Sequence, residues 1–260
     1  MVYLRPGAGG YTALERLIRD PTRWVFAHGL SGFHVMSDWP TAMERLTNPF
    51  WMVLVIGGPS GVGKSTLGKE IARRAGATWL QIDDIRLALQ YHPVLAGNAT
   101  LRFFMDTPDV WRQPVSRLVE AFVAVADVLA PSLQIIIENH LAIREPVVIE
   151  GDGILPSLLD IPVMQHHAQT GMLSSAWIIP QEPGLLLANS TRRGRGISEG
   201  APQDEGQLWA QAGWAFGQWL HHEARQRDLP VLSPEPYATL PERIARIVTG
   251  STGKTGEKQQ

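Results

Sequence analysis

The chain has no cysteine. That excludes a disulfide framework, a thiolate zinc site and a cysteine nucleophile, and it suits a reducing cytosol. Charge is also sparse, at 18% of 260 residues with a net charge of −2 at pH 7. A nucleic-acid or membrane-surface partner usually requires a concentrated positive field, which this balance does not supply. Long apolar runs are missing as well. The opening MVYLRPGAGGYTALERLIRD has no uninterrupted apolar segment of about seven residues, so no signal peptide is expected. No stretch approaches the roughly eighteen consecutive apolar residues of a membrane-crossing helix. The expectation is a cytoplasmic protein with neither a membrane nor a nucleic-acid partner. No internal repeat is evident.

What the chain does have is 44% apolar residues, enough to build a sizeable core, and nine tryptophans, read first as packing residues. Residues 1–48 carry a short helical stripe at Leu14, Leu17 and Ile18, then Pro21 and Pro40. They read as a small N-terminal cap of unknown role. Residues 49–250 read as the main domain, and the polar residues 251–260 as a disordered tail. WMVLVIGG, from Trp51 to Gly58, is a continuous apolar run stopped by glycines, as in a strand buried on both faces. An amphipathic helix follows, with Gly76 as its C-cap. TWLQID reads as a second strand, DDIRLALQ as a helix start, and residues 91–115 as an irregular insertion. Ser116 onward is helical. PSLQIIIENHLAIREP reads as a further helix with Pro131 in its first turn. PVVIEGDG, SSAWIIP and LPVLSP supply three more strands. A short helix precedes residues 192–195, a long one covers roughly 204–228, and LPERIARIV closes the domain. Alternating strands and helices imply a three-layer α/β/α sandwich on a mostly parallel five-stranded sheet. Ligands bind such sheets beyond the C-terminal ends of the strands.

IGGPSGVGKST lies at one such end. Gly58, Gly63, Lys64 and Ser65 satisfy G-x-x-x-x-G-K-[ST], in the strand–loop–helix setting that gives the pattern its meaning. Glycines let the backbone of Gly58, Pro59, Ser60, Gly61, Val62 and Gly63 curl closely around a ligand with its N–H groups turned inward. The following helix, with Lys64, Ser65 and Thr66 in its first turn, adds unpaired N–H groups and a positive dipole end. Lys64 supplies a mobile charge for β- and γ-phosphates, and Ser65 a hydroxyl for Mg²⁺. This is a phosphate loop for a nucleoside triphosphate. The similar GSTGKT near the C-terminus has Val248 where the first glycine should stand, and no strand–loop–helix around it.

Further groups fall at other strand ends. QIDDIR places Asp83 and Asp84 at the end of the second strand, where one carboxylate could orient or deprotonate an acceptor hydroxyl while the other caps a helix. Arg86 would sit in the same cleft and could pair with a phosphate or carboxylate. Glu150 ends a buried strand and is the first candidate to position Mg²⁺. Asp152 is a weaker one, and Glu138 competes if its segment is a strand. Arg192, Arg193 and Arg195 lie in a glycine-containing loop that could close over a transferring phosphoryl group. His166–His167 and His221–His222 are adjacent pairs, so no helix face presents both members to a metal.

Taken together, GGPSGVGKST, IDDIR, VVIEGDGILP and the arginine-rich segment before a long helix resemble the small-molecule kinases of the phosphate-loop superfamily. Within it they are similar to 2-phosphoglycerate kinase and related kinases, over roughly residues 51–250. The resemblance implies a nucleoside-monophosphate-kinase-like fold, ATP with Mg²⁺, and transfer of the γ-phosphoryl group to a hydroxyl or acid group of a small molecule. Two alternatives accompany it. One is a toxin-type kinase acting on a nucleotide sugar. The other is an ATPase or switch protein, although no second ATPase subdomain and no guanine-reading N-K-x-D is present.

Overall fold

The computed structural model describes residues 51–193 and 203–250. The N-terminal cap and the polar tail anticipated above lie outside them. Five strands, β1 (Val53–Gly57), β2 (Thr78–Gln81), β3 (Val147–Glu150), β4 (Leu173–Ile178) and β5 (Val231–Leu232), form one sheet in the order β2-β3-β1-β4-β5. Every pairing is parallel. β1, β3 and β4 are buried along their whole length, which is why they read as near-continuous apolar runs.

Alternation along the strands divides the core in two. Val53, Val55, Val147 and Ile149 pack toward α4 (Val115–Ile143) and the C-terminal half of α7 (Gln203–Gln226). Leu54, Ile56, Val148 and Ile178 pack toward α1 (Lys64–Ala75) and α8 (Leu240–Gly250). The result is the α/β/α phosphate-loop fold. Among the described residues the remaining helices are α2 (Ile82–Gln90), α3 (Ala99–Asp106), α5 (Pro162–Gln169) and α6 (Pro183–Arg193).

Four features differ from the sequence reading. β2 ends at Gln81, and α2 starts at once, so Asp83 and Asp84 lie in the first helical turn rather than on a strand tip. Residues 91–115 are not wholly irregular. They contain α3, capped by Asn98 Oδ1 accepting from Leu101 N at 3.0 Å, and a 3₁₀ turn over Val110–Arg112. The segment around Pro131 is not a separate helix, because α4 runs unbroken for 29 residues. Pro131 and Asp127 are both exposed, so the carbonyl freed by the missing N–H faces water. Finally, α4 is long and apolar enough to cross a membrane by length and composition. Isolated polar residues interrupt its apolar runs without making the helix polar. Leu118, Val125, Leu129, Leu133, Ile137 and Leu141 place one side of it in the core, each 7% exposed or less.

Candidate active site

The phosphate loop joins β1 to α1 with backbone that other residues cannot follow. Gly58 has φ 136° and Gly63 has φ 97°. A Cβ on Gly58 would overlap the Ile178 carbonyl oxygen, and one on Gly63 would lie 2.7 Å from the Tyr237 ring. Gly58→Ala is therefore expected to destabilise the fold by about 1–3 kcal/mol through strain, checked by urea denaturation, together with loss of nucleotide binding. α1 begins without a side-chain cap, leaving its N-terminus to serve an anion. Lys64 is only 6% exposed, and its Nζ donates to Pro59 O at 2.9 Å. The loop thus holds the ammonium against its own backbone.

Across a cleft of about 260 Å³, four acidic or basic side chains face this loop: Asp83, Arg86, Glu150 and Asp152. Arg86 pairs with Asp83 at 2.9 Å and with Asp152 at 3.7 Å. Gln81 Nε2 donates to Asp83 Oδ2 at 3.2 Å. Burial raises the pKa of Asp83, and the charge of Asp152 adds to it; Arg86, Lys64 and Gln81 pull the other way. Burial opposes charge on Arg86, yet Asp152 and Asp83 outweigh it and raise its pKa. Asp84 is exposed and does not line this cleft, so Asp83 is the carboxylate that faces the loop.

Glu150 ends β3 at 1% exposure. Its Oε1 is buried with no hydrogen-bond partner among the described residues. Burial raises its pKa, partly offset by the Lys64 charge and by the Ser65 hydroxyl hydrogen bond. An orphaned carboxylate oxygen beside a loop hydroxyl suits Mg²⁺, which takes one or two protein oxygens and keeps the rest for water and phosphate. No group of three or more His, Cys, Asp or Glu side chains forms a metal cage among the described residues. Glu138 lies on α4, accepts from Gln134 at 2.8 Å and is not in the cleft. α6 runs on to Arg193, so Arg192 and Arg193 lie on its last turn and not in the glycine-containing loop expected from the sequence. The side chains of these two, and Arg195 altogether, lie outside the described residues.

Known structures of similar shape include two kinds of kinase. A gluconokinase from Sinorhizobium meliloti 1021 aligns at 19% identity and TM-score 0.41, over 77% of this chain and 93% of its own. A shikimate kinase from Bacteroides thetaiotaomicron aligns at 15% and 0.44, over 76% and 97%. A shikimate kinase from Acinetobacter baumannii, in complex with shikimate, aligns at 13% and 0.38, over 81% and 99%. No protein-family model and no curated protein matches the chain. Function is therefore read from the site itself.

Three residues of the site carried no signal in the sequence. Asn189 Nδ2 donates to Gly61 O at 2.8 Å, and Tyr237 Oη donates to Gly63 O at 3.0 Å. Trp209 lines the cleft from α7. Tyr237 also closes a second cleft of about 780 Å³ on the other side of the loop, with Val62, Thr66, Gln181, Leu185 and Pro236. They come from α6, α7 and a 3₁₀ turn over Tyr237–Thr239, elements far from the loop in sequence.

The raised pKa of Glu150 has a measurable consequence. A buried carboxyl whose folded pKa exceeds its unfolded value contributes least once it ionises, so this contribution to stability falls as pH rises through the folded pKa. Glu150→Gln is expected to raise the thermal midpoint of the nucleotide-free protein at pH 7 by a few degrees. The gain should shrink as pH falls toward the unfolded pKa of about 4.3. Scanning calorimetry of both proteins between pH 5 and pH 8 checks it.

Proposed function

We propose that the chain is an ATP-dependent kinase that transfers the γ-phosphoryl group to a hydroxyl or acid group of a small molecule in the cytoplasm. The observation that carries this reading is the 260 Å³ cleft, in which a phosphate loop with its lysine meets a half-buried carboxylate, Asp83, held by an arginine and a glutamine. A carboxylate fixed on two sides opposite the loop can orient or deprotonate an acceptor hydroxyl.

In this reading the loop amides of residues 58–65 and the α1 dipole bind the phosphates. Lys64 leaves the Pro59 carbonyl for the β- and γ-phosphates. Asp83 accepts the acceptor's hydroxyl proton, or orients that hydroxyl, and Arg86 keeps Asp83 in place. Ser65 and Glu150 would hold Mg²⁺, which would supply neutralising charge to the phosphates. The nucleoside lies in the 780 Å³ cleft beside Tyr237. Arg192, Arg193 and Arg195 supply the basic segment that closes over the phosphates.

The test is incubation with γ-labelled ATP, Mg²⁺ and fractionated metabolites, with nucleotide binding followed by calorimetry. A labelled small molecule supports the reading. A labelled nucleotide sugar points to the toxin-type alternative. Hydrolysis stimulated by a macromolecule, with no small product, points to the switch. No binding of Mg-nucleotide at millimolar concentration by folded protein overturns all three.

A further inference from the structure

A separate cavity of about 320 Å³ adjoins the phosphate cleft, and the two share Ser60, Arg86, Asp152 and Trp209. Its walls come from α2, α3, the 3₁₀ turn, α4 and α7, so it includes much of the segment that the sequence reading left irregular. The walls are apolar and ring-rich, with Leu87, Phe104, Met105, Trp111, Phe122 and Phe216 prominent. The rings form a near-parallel series. Trp111 stacks on Phe104 at 5.5 Å, Phe104 on Phe122 at 4.5 Å, and Phe122 on Phe216 at 4.9 Å. The one amide in the wall is engaged, since Gln90 Nε2 donates to Leu101 O at 2.6 Å.

The charges decide what kind of molecule fits. Among the described lining residues of this cavity, only Arg86 and Asp152 are charged. Arg86 is already shared between Asp83 and Asp152. The adjoining cleft adds Lys64, which the phosphates require, and the carboxylates of Asp83 and Glu150. Three carboxylates thus stand against two cations before any nucleotide binds. Among the described lining residues, an anionic acceptor such as a phosphorylated hydroxy acid would meet a field of its own sign and no cation without a carboxylate or phosphate to serve, the arginines of the basic segment being assigned to the phosphates. It would also leave ring faces wet. A cavity of this size and lining suits an apolar ring with few polar groups.

We propose that the phosphoryl acceptor is an uncharged alcohol with an aromatic or similarly flat apolar body. This rests on the kinase reading above. The ring lies among Phe104, Trp111, Phe122 and Phe216, and the hydroxyl reaches past Arg86 to Asp83. In the transfer, the hydroxyl oxygen forms a bond to the γ-phosphorus as the bond to the β–γ bridging oxygen breaks. The hydroxyl proton passes to Asp83, and ADP leaves with the bridging oxygen's electron pair.

The experiment compares kcat/KM for three acceptor sets with ATP and Mg²⁺: neutral aryl-alkyl alcohols, neutral polyols, and hydroxy acids with and without a phosphate. Binding of the same compounds to nucleotide-loaded protein is followed by tryptophan fluorescence. Aryl-alkyl alcohols are expected to exceed both other sets by at least about tenfold, the scale of one ring-sized apolar burial. Gly213 lines the cavity from α7, three residues before Phe216, and Gly213→Leu should narrow it and lower kcat/KM for aryl alcohols by a similar factor. A Cβ there meets Leu186 Cδ1 at 3.2 Å, so Phe104→Ala serves as a second variant, raising KM for the same compounds. Retained nucleotide binding shows that each variant is folded. A polyol or hydroxy acid as the best acceptor overturns this inference and leaves the kinase standing. So does unchanged kcat/KM for aryl alcohols in both variants. Nucleotide binding with no transfer to any set, and no bound alcohol, overturns the inference and the kinase reading together.

Discussion

Lys64→Ala should leave a folded protein whose phosphoryl transfer falls by at least about 10²–10³-fold, the usual cost of removing one preorganised donor to developing charge. The reason is the balance of the cleft. Lys64 is a buried ammonium whose hydrogen bond is to the Pro59 carbonyl, so moving it to a phosphate exchanges one oxygen acceptor for a better one. Without it, Asp83, Glu150 and Asp152 face Arg86 alone. A triphosphate entering that cleft meets net repulsion. The loss also moves the neighbours, because Lys64 lowers the pKa of both Asp83 and Glu150. Both should titrate higher in the variant, so more of Asp83 is protonated at neutral pH and less of it can accept a proton. Binding and turnover therefore fall for connected reasons. Calorimetry with Mg-nucleotide and single-turnover transfer separate them. Turnover within tenfold of wild type would remove Lys64 from the site.

The parts of this site that the sequence revealed are those with a local cause. The loop is legible because positive φ at Gly58 and Gly63 can be met cheaply only by glycine, and because its lysine follows immediately. Glu150 is legible because a carboxylate at the end of a fully buried run stands out. Asp83 was found, but its setting was not. A strand of four residues ends where its pairing with β3 ends, at Gln81 opposite Glu150, and no residue at the join announces that. The rest depends on residues distant in sequence. Asn189 reaches Gly61 across 128 positions and Tyr237 reaches Gly63 across 174, through a sheet order that periodicity cannot specify. The helix inside residues 91–115 was hidden by flanking prolines and a glycine, which read as breakers although Asn98 caps a helix between them. The aromatic cavity was hidden for the same reason, since its rings come from four separate segments.

Asp83→Asn should separate binding from chemistry. The amide keeps the size of the carboxylate, and its oxygen can still accept from Gln81 or Arg86. Mg-nucleotide affinity should therefore stay within a few-fold of wild type, while turnover falls by about 10²–10⁴-fold, the range for a positioned general base. The pH profile carries the sharper test. Burial and Asp152 hold the Asp83 pKa above its ordinary value, so wild-type turnover should fall on the acid side as the carboxylate takes up a proton. The asparagine variant has no such group, and its residual turnover should lose that limb. Stability should move the opposite way. A buried acid with a raised folded pKa favours the fold while protonated, and this contribution is lost as pH rises through that pKa. The neutral amide does not ionise, so the nucleotide-free variant should be more stable than wild type at pH 7 and no more stable near pH 4. A merely structural Asp83 could show the same stability change, because that depends only on burial. It could not remove the acid limb of turnover while leaving nucleotide affinity intact. An unchanged limb in the variant would assign proton acceptance to another group, with Asp152, on the far side of Arg86, the next carboxylate to replace.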